Sequence, residues 1–211
     1  MATELWCRTG AGKAWVGLLR LIAQIPDGSV PLLKLGETVG SVKASSGTIS
    51  NAATLEIALP AGYSGFEVEL VDLIPATDNV DLYCRVSTDG SSYDAAAGNY
   101  KWAYSRAYDT GAATGTTDTI GSNSSSAITM ANGVGNGSSE GASLTVKIVG
   151  HDNSAVQPRI RFDGTVHFSS NEQIRVSGSG RRVNAQDTTN LRFLFSSGNI
   201  ASGKWFVRAL N

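Results

Sequence analysis

The sequence has little charge and few of the residues on which catalysis depends. Charged residues make up 17% of the 211 residues and the formal net charge is −1, so no overall basic field attracts nucleic acid or an anionic membrane. The only histidines are His151 and His167, and neither lies beside a serine or cysteine in a nucleophile motif. We therefore expect a protein that is not an enzyme and does not bind nucleic acid.

Cysteines and long apolar runs are also scarce. Cys84 falls on the apolar side of an alternating segment and is most simply a small buried side chain, although a bridge to Cys7 stays an alternative. The longest apolar run, residues 14–23, is about half a membrane span and contains Arg20. The first ten residues lack the pattern of a secretory signal. We expect synthesis in a cytoplasm and no membrane insertion.

Aspartates cluster in two short stretches, residues 78–81 and 89–94, which could supply calcium ligands or a pair of catalytic carboxylates. The helix–loop–helix calcium pattern, with alternating Asp, a Gly and a closing Glu, is absent. Asp and Gly at these positions are what tight turns require. We therefore predict structural corners here, with no metal, no other cofactor and no catalytic residue.

Short alternating apolar segments, separated by Gly, Ser, Thr and Asn, dominate the chain from residue 30 onward. In residues 66–93, alternation predicts two strands joined by a turn at Pro75–Asn79 into a β-hairpin. Similar segments follow without a convincing helix between them, whereas residues 109–126 are small and polar and predict a long loop or arm. The pattern predicts an all-β fold, an antiparallel two-sheet sandwich that is jelly-roll-like.

Residues 1–29 differ from the rest and form a separate N-terminal segment in our division of the chain, with the sandwich domain at 30–211. The apolar residues near 13–24 fit helical spacing and strand alternation equally well, so both alternatives stay open. The segment is too apolar for a free tail, and we expect it to dock onto the domain, a sister subunit or another protein. The candidate docking residues are Trp6, Trp15, Leu18, Leu19 and Ile22.

The aromatic stretch at residues 99–108 is the best candidate for binding. Tyr100, Trp102 and Tyr104 alternate, so a strand places their rings on one face. If that face is buried, the rings belong to the core or to a subunit interface. If it is open, they form a platform of the kind that sugar rings prefer.

Five stretches together resemble a module of tailed bacteriophages and prophages. They are PATDN (75–79), STDGSSYD (87–94), YKWAY (100–104), GVGNGSSEG (133–141) and LRFLFSSGNIASG (191–203). Members of this family carry similar motifs in the same order, and the resemblance covers about residues 32–211. Two departures stand out: Asn79 replaces a usual glycine, and WFVRA (205–209) replaces the common ending.

The resemblance implies a structural protein located in the virion. Within that role we expect a homotrimer whose N-terminal segment docks onto other phage structural proteins. It carries no functional residues that map onto this chain. Two roles are then open: attachment to a host-surface glycan as a fibre, spike or tail component, and decoration of the capsid or tail without receptor binding. A free lectin or carbohydrate-active enzyme is the alternative from another class, because a sandwich fold alone does not fix function.

Overall fold

The computed structural model describes residues 6–8, 15–17, 42–108, 116–170 and 172–210, and all structural statements concern these ranges. The chain divides into two compact units, Met1–Val39 and Gly40–Asn211. In the first unit, β1 (Trp6–Arg8) and β2 (Trp15–Gly17) pair antiparallel. The boundary expected from the sequence, between residues 29 and 30, lies outside the described residues.

The second unit contains twelve described strands and no described helix. Their bounds are β3 (Val42–Ala52), β4 (Leu55–Ala58), β5 (Gly65–Pro75), β6 (Val80–Ser87), β7 (Tyr100–Tyr108), β8 (Thr116–Ser125), β9 (Ile128–Val134), β10 (Gly141–Val149), β11 (Arg159–His167), β12 (Gln173–Arg182), β13 (Asn190–Phe195) and β14 (Ile200–Leu210).

Two antiparallel sheets pack against each other, one of eight strands in the order β3-β14-β5-β10-β11-β12-β7-β8 and one of four in the order β4-β13-β6-β9. When the hairpins β7–β8 and β11–β12 are set aside, eight strands remain, and every connection except that from β6 to β9 crosses from one sheet to the other. This arrangement is a jelly roll. The all-β sandwich expected from the alternating pattern is confirmed, and the two hairpins are insertions that widen one sheet.

The expected hairpin between β5 and β6 is wrong. β5 pairs with β10 and β14 in the large sheet, whereas β6 pairs with β9 and β13 in the small sheet. The turn at Pro75–Asn79 is present, but it carries the chain across the sandwich. Alternation identifies which face of a strand is buried, and it does not identify the partner strand.

Of the long loop or arm expected at residues 109–126, the loop alternative is wrong over its second part, because β8 occupies residues 116–125 and pairs along β7. Its side chains are mostly exposed, so backbone hydrogen bonds to β7, more than burial of apolar surface, define this strand. Residues 109–115 lie outside the described ranges.

The core lies between the sheets and is built from the inward residues that alternation selects. Phe66, Val68 and Leu70 of β5 are at most 1% exposed, and Cys84 on β6 is fully buried, as the sequence predicted. Burying each large apolar side chain contributes about 1.5–3 kcal/mol. Cys84 is a free thiol.

Candidate functional site

The rings of Tyr100 and Tyr104 face the core of the sandwich, where their exposed fractions are 0% and 2%. Trp102, on the same face of β7, is half-buried and packs against the core residues. The burial of these rings agrees with the first alternative left open by the sequence, in which the rings belong to the core. The three rings do not form an open platform, because this face of β7 is turned toward β9 of the small sheet.

The hydroxyl group of Tyr100 joins three segments of the chain. It accepts a hydrogen bond from Val86 N at 2.9 Å and donates one to the carbonyl oxygen of Asp94 at 3.1 Å. Burial raises the pKa of this phenol. The neighbouring side chain of Asp94 pairs with Arg182, whose side chain is 7% exposed. These contacts fix the crossing from β6 to β7.

Trp102 stacks on Tyr104 with ring centroids 5.7 Å apart and an interplanar angle of 22°. The Tyr104 hydroxyl donates to Asn132 Oδ1, and burial raises its pKa. Trp102 Nε1 is buried and has no hydrogen-bond partner among the described residues. Of the three aromatic candidates, only Trp102 also lines the open depression described below.

The aspartates of the two turns accept hydrogen bonds from other groups of the protein. Asp89 Oδ1 accepts from the backbone N–H groups of Ser92 and Ser91 at 2.7 and 2.8 Å, and these bonds lower the pKa of Asp89. Asp81 Oδ1 accepts from Gly133 N at 3.2 Å. Among the described residues no group of His, Cys, Asp and Glu is arranged to hold a metal ion.

The expected docking residues are described only in part. Trp6 lies in β1 and Trp15 in β2. Of the helix and strand alternatives, residues 15–17 therefore adopt the strand. Leu18, Leu19 and Ile22 lie outside the described residues, and docking stays a prediction.

A cation cluster on the outer face of the large sheet was not anticipated from the sequence. Its members are cationic side chains that point away from the core on four adjacent strands: Lys147 on β10, Arg159 and Arg161 on β11, Arg181 on β12 and Lys101 on β7. Arg159 lies directly opposite Arg181, and Arg181 directly opposite Lys101. This places three cations in one row about 10 Å long.

The adjacent row contains Lys147 opposite Arg161, followed by the small residues Ser179 and Ala103 on the next two strands. The long cationic side chains and the small residues Ser179 and Ala103 together line an open depression of about 940 Å³. Ser122 and Asn123 on β8 close one side of it. The depression therefore combines positive charge, neutral hydrogen-bonding groups and a shallow floor.

The five cations have no carboxylate partner among the described residues. The ion pairs that are described involve other arginines, including Arg175 with Asp163 and Arg208 with Glu67, both at 3.1 Å. Asp163 and Glu67 border the cluster. They line a smaller depression, to which Lys147 and Arg161 also contribute. Glu67 lies opposite Lys147 in the register, whereas the row of Arg159, Arg181 and Lys101 has no acid opposite it among the described residues.

The partner of Arg181 is neutral. Its Nη1 donates to Gln157 Oε1, and Gln157 Nε2 donates to the carbonyl oxygen of Val183. These bonds position the half-buried guanidinium at the centre of the row without neutralising it. The sequence contains a partial indication of the cluster, since Arg159 and Arg161 alternate, but Lys101 and Lys147 join them only through the topology.

Comparisons with models of protein families, with curated proteins and with solved structures find no match to this chain. Among the described residues there is also no helix of the length and apolarity that crossing a bilayer demands.

Proposed function

We propose that this chain is a structural protein of a tailed-phage particle, exposed on the virion surface and taking part in attachment to a host-surface glycan. The proposal draws on the motif resemblance, on the jelly-roll fold and on the open depression of the large sheet. The proposal rests mainly on where the motifs lie in the fold, because their turns are hydrogen-bonded to one another.

Three of the motif turns meet at one end of the sandwich. Ala76 N, in the first turn, donates to Asn199 O at 2.8 Å, and Asn136 N donates to Asp78 Oδ1 at 3.3 Å. Asn79 has a φ of 57°, a left-handed conformation that glycine adopts without cost, so the usual glycine of the phage module fits here. The motifs that make the resemblance therefore have a shared structural reason to occur together.

The sheet edges support assembly into an oligomer, for which we propose a homotrimer. β3 lies at one edge of the large sheet, and no described strand pairs with its outer side. Its exposed residues between 45 and 51 are serine, threonine and asparagine, with no charge to discourage pairing. Closed symmetric oligomers are the usual way in which such edges are covered. Within the particle, the N-terminal segment would dock onto other phage structural proteins.

The test begins with purified particles that encode this chain. Mass spectrometry of the particle proteins and immunogold labelling of intact particles should find the chain on the surface, and the recombinant chain should slow particle adsorption to host cells. Presence on the particle without competition would favour a capsid or tail decoration protein. Absence from the particle would overturn the proposal and leave a free lectin or carbohydrate-active enzyme.

A further inference from the structure

We propose that the cation cluster binds an acidic glycan, a polysaccharide whose sugars carry carboxylate or phosphate groups. The inference deepens the proposed attachment function, on which its biological setting rests, by naming the residues and the ligand class. The binding residues are Lys101, Lys147, Arg159, Arg161 and Arg181.

The arrangement of charge is the first argument. Like charges directly opposite each other on neighbouring strands oppose folding, and here Arg159, Arg181 and Lys101 follow one another across three strands. Other arginines of the same sheet, such as Arg175 and Arg208, have carboxylate partners. A site that holds several cations together without such partners is suited to an anionic ligand.

The geometry of the cationic groups is the second argument. Arginine binds carboxylate or phosphate with two parallel hydrogen bonds, and three of the five cations are arginines. Gln157 holds Arg181 in place between Arg159 and Lys101, so part of the ordering is complete before a ligand arrives. An acidic group above the row would contact cations from adjacent strands at once.

The floor of the depression favours a sugar. Ala103 and Ser179 leave room between the long side chains, while Ser122 and Asn123 offer neutral hydrogen-bonding groups at the side. A carbohydrate presents hydroxyl groups as well as its acidic substituents, and both kinds of partner are present. The volume of about 940 Å³ matches the sites that hold compact ligands.

Nucleic acid is less well matched to the same surface. Single-stranded nucleic acid is usually bound through bases stacked on aromatic side chains. The one aromatic residue lining the depression, Trp102, is already stacked on Tyr104. Since Trp102 is already engaged, no described ring along the depression is free to stack on a base, and this disfavours nucleic acid.

The experiment measures binding of the full recombinant chain to polygalacturonate, which carries carboxylates, and to phosphomannan, which carries phosphates. Neutral dextran and a single-stranded DNA oligonucleotide serve as comparisons. The test variant is Arg159→Gln with Arg181→Gln. The matched control is Arg175→Gln with Lys204→Gln, which removes the same charge from the outer face of the same sheet. Circular dichroism and thermal unfolding verify that both variants fold.

We expect binding to at least one acidic polysaccharide, no binding to dextran, and an affinity at least about tenfold weaker in the test variant than in the control. The interaction should weaken between about 50 and 500 mM salt, because exposed charges are screened. The polysaccharide that binds more tightly shows whether carboxylate or phosphate is the preferred group.

Three results would overturn the inference: no binding to either acidic polysaccharide, an equal loss of affinity in test and control variants, or tighter binding to the oligonucleotide. If the test variant does not fold, Lys101→Gln with Lys147→Gln, both at exposed positions, replaces it. Adsorption separates this inference from the proposed function. If the test variant slows adsorption as well as the unmodified chain does, the site is rejected and the attachment role is kept. If the chain binds the glycan but is absent from particles, the site is kept and the attachment role is rejected.

Discussion

Tyr104 and Phe162 meet edge to face, with ring centroids 6.0 Å apart, above the backbone of Gly178. The three residues lie in one inward row across β11, β12 and β7, and the glycine leaves the space that the two rings fill. This contact packs the inserted hairpins, and therefore supports the strands that carry the cation cluster.

Replacing Gly178 with alanine should destabilise the protein by about 1–3 kcal/mol through overpacking. A Cβ at this position would lie 2.3 Å from Tyr104 Cβ and 2.6 Å from Phe162 Cζ, so a ring or the backbone has to move. Urea unfolding measures the change. The control is Ser177→Ala, an exposed position one residue away, and an equal effect of both substitutions would contradict this account.

Substitution of Asn79 tests the left-handed corner between β5 and β6. With a φ of 57°, Asn79→Gly should keep or raise the free energy of unfolding by up to about 1 kcal/mol. Asn79→Val should lower it by about 1–2 kcal/mol, since a β-branched residue is strained there. Thermal unfolding of the two variants gives the comparison, and a more stable valine variant would refute the argument.

Replacing Asp94 with alanine should lower the free energy of unfolding by about 3 kcal/mol or more, because Arg182 is then left buried without its carboxylate partner. The exposed pair of Arg175 and Asp163 supplies the control, since Asp163→Ala should cost no more than about 1 kcal/mol. Denaturant unfolding measures both. Similar costs for the two substitutions would show that burial of Arg182 does not matter.

Stability should fall at alkaline pH in a way that depends on Cys84. Burial raises the pKa of this thiol from 9.0 to about 12 in the folded protein. Because the folded pKa is the higher one, its contribution is complete below pH 9 and is lost as pH rises toward 12. The Cys84→Ala variant should lose less stability between about pH 9 and 11 than the unmodified chain. Parallel curves for the two proteins would contradict the assignment.

The sequence was sufficient for the fold class because inward positions such as Phe66, Val68 and Leu82 alternate cleanly with polar ones. It was not sufficient for strand pairing. β5 and β6 each bury one face, and that pattern is the same whether two strands are neighbours in a sheet or face each other across a sandwich.

Two further differences have physical causes. β8 contains little apolar surface, so composition alone indicated a loop, and the strand depends on its pairing with β7. The cation cluster joins residues as distant in sequence as Lys101 and Arg181, which lie opposite each other only because β12 pairs with β7. Net charge gave no indication of it, since a sum over the chain hides local charge.

The insertion of two hairpins into an eight-stranded roll separates two tasks within one chain. The motif corners hold the roll closed, whereas four of the five cations lie on β7, β11 and β12, strands that the roll itself does not need. Exchange of the hairpins would therefore change the charged surface while the roll keeps its architecture. Related chains should then differ mainly between residues 100–125 and 159–182, and differences spread evenly along the chain would count against this division.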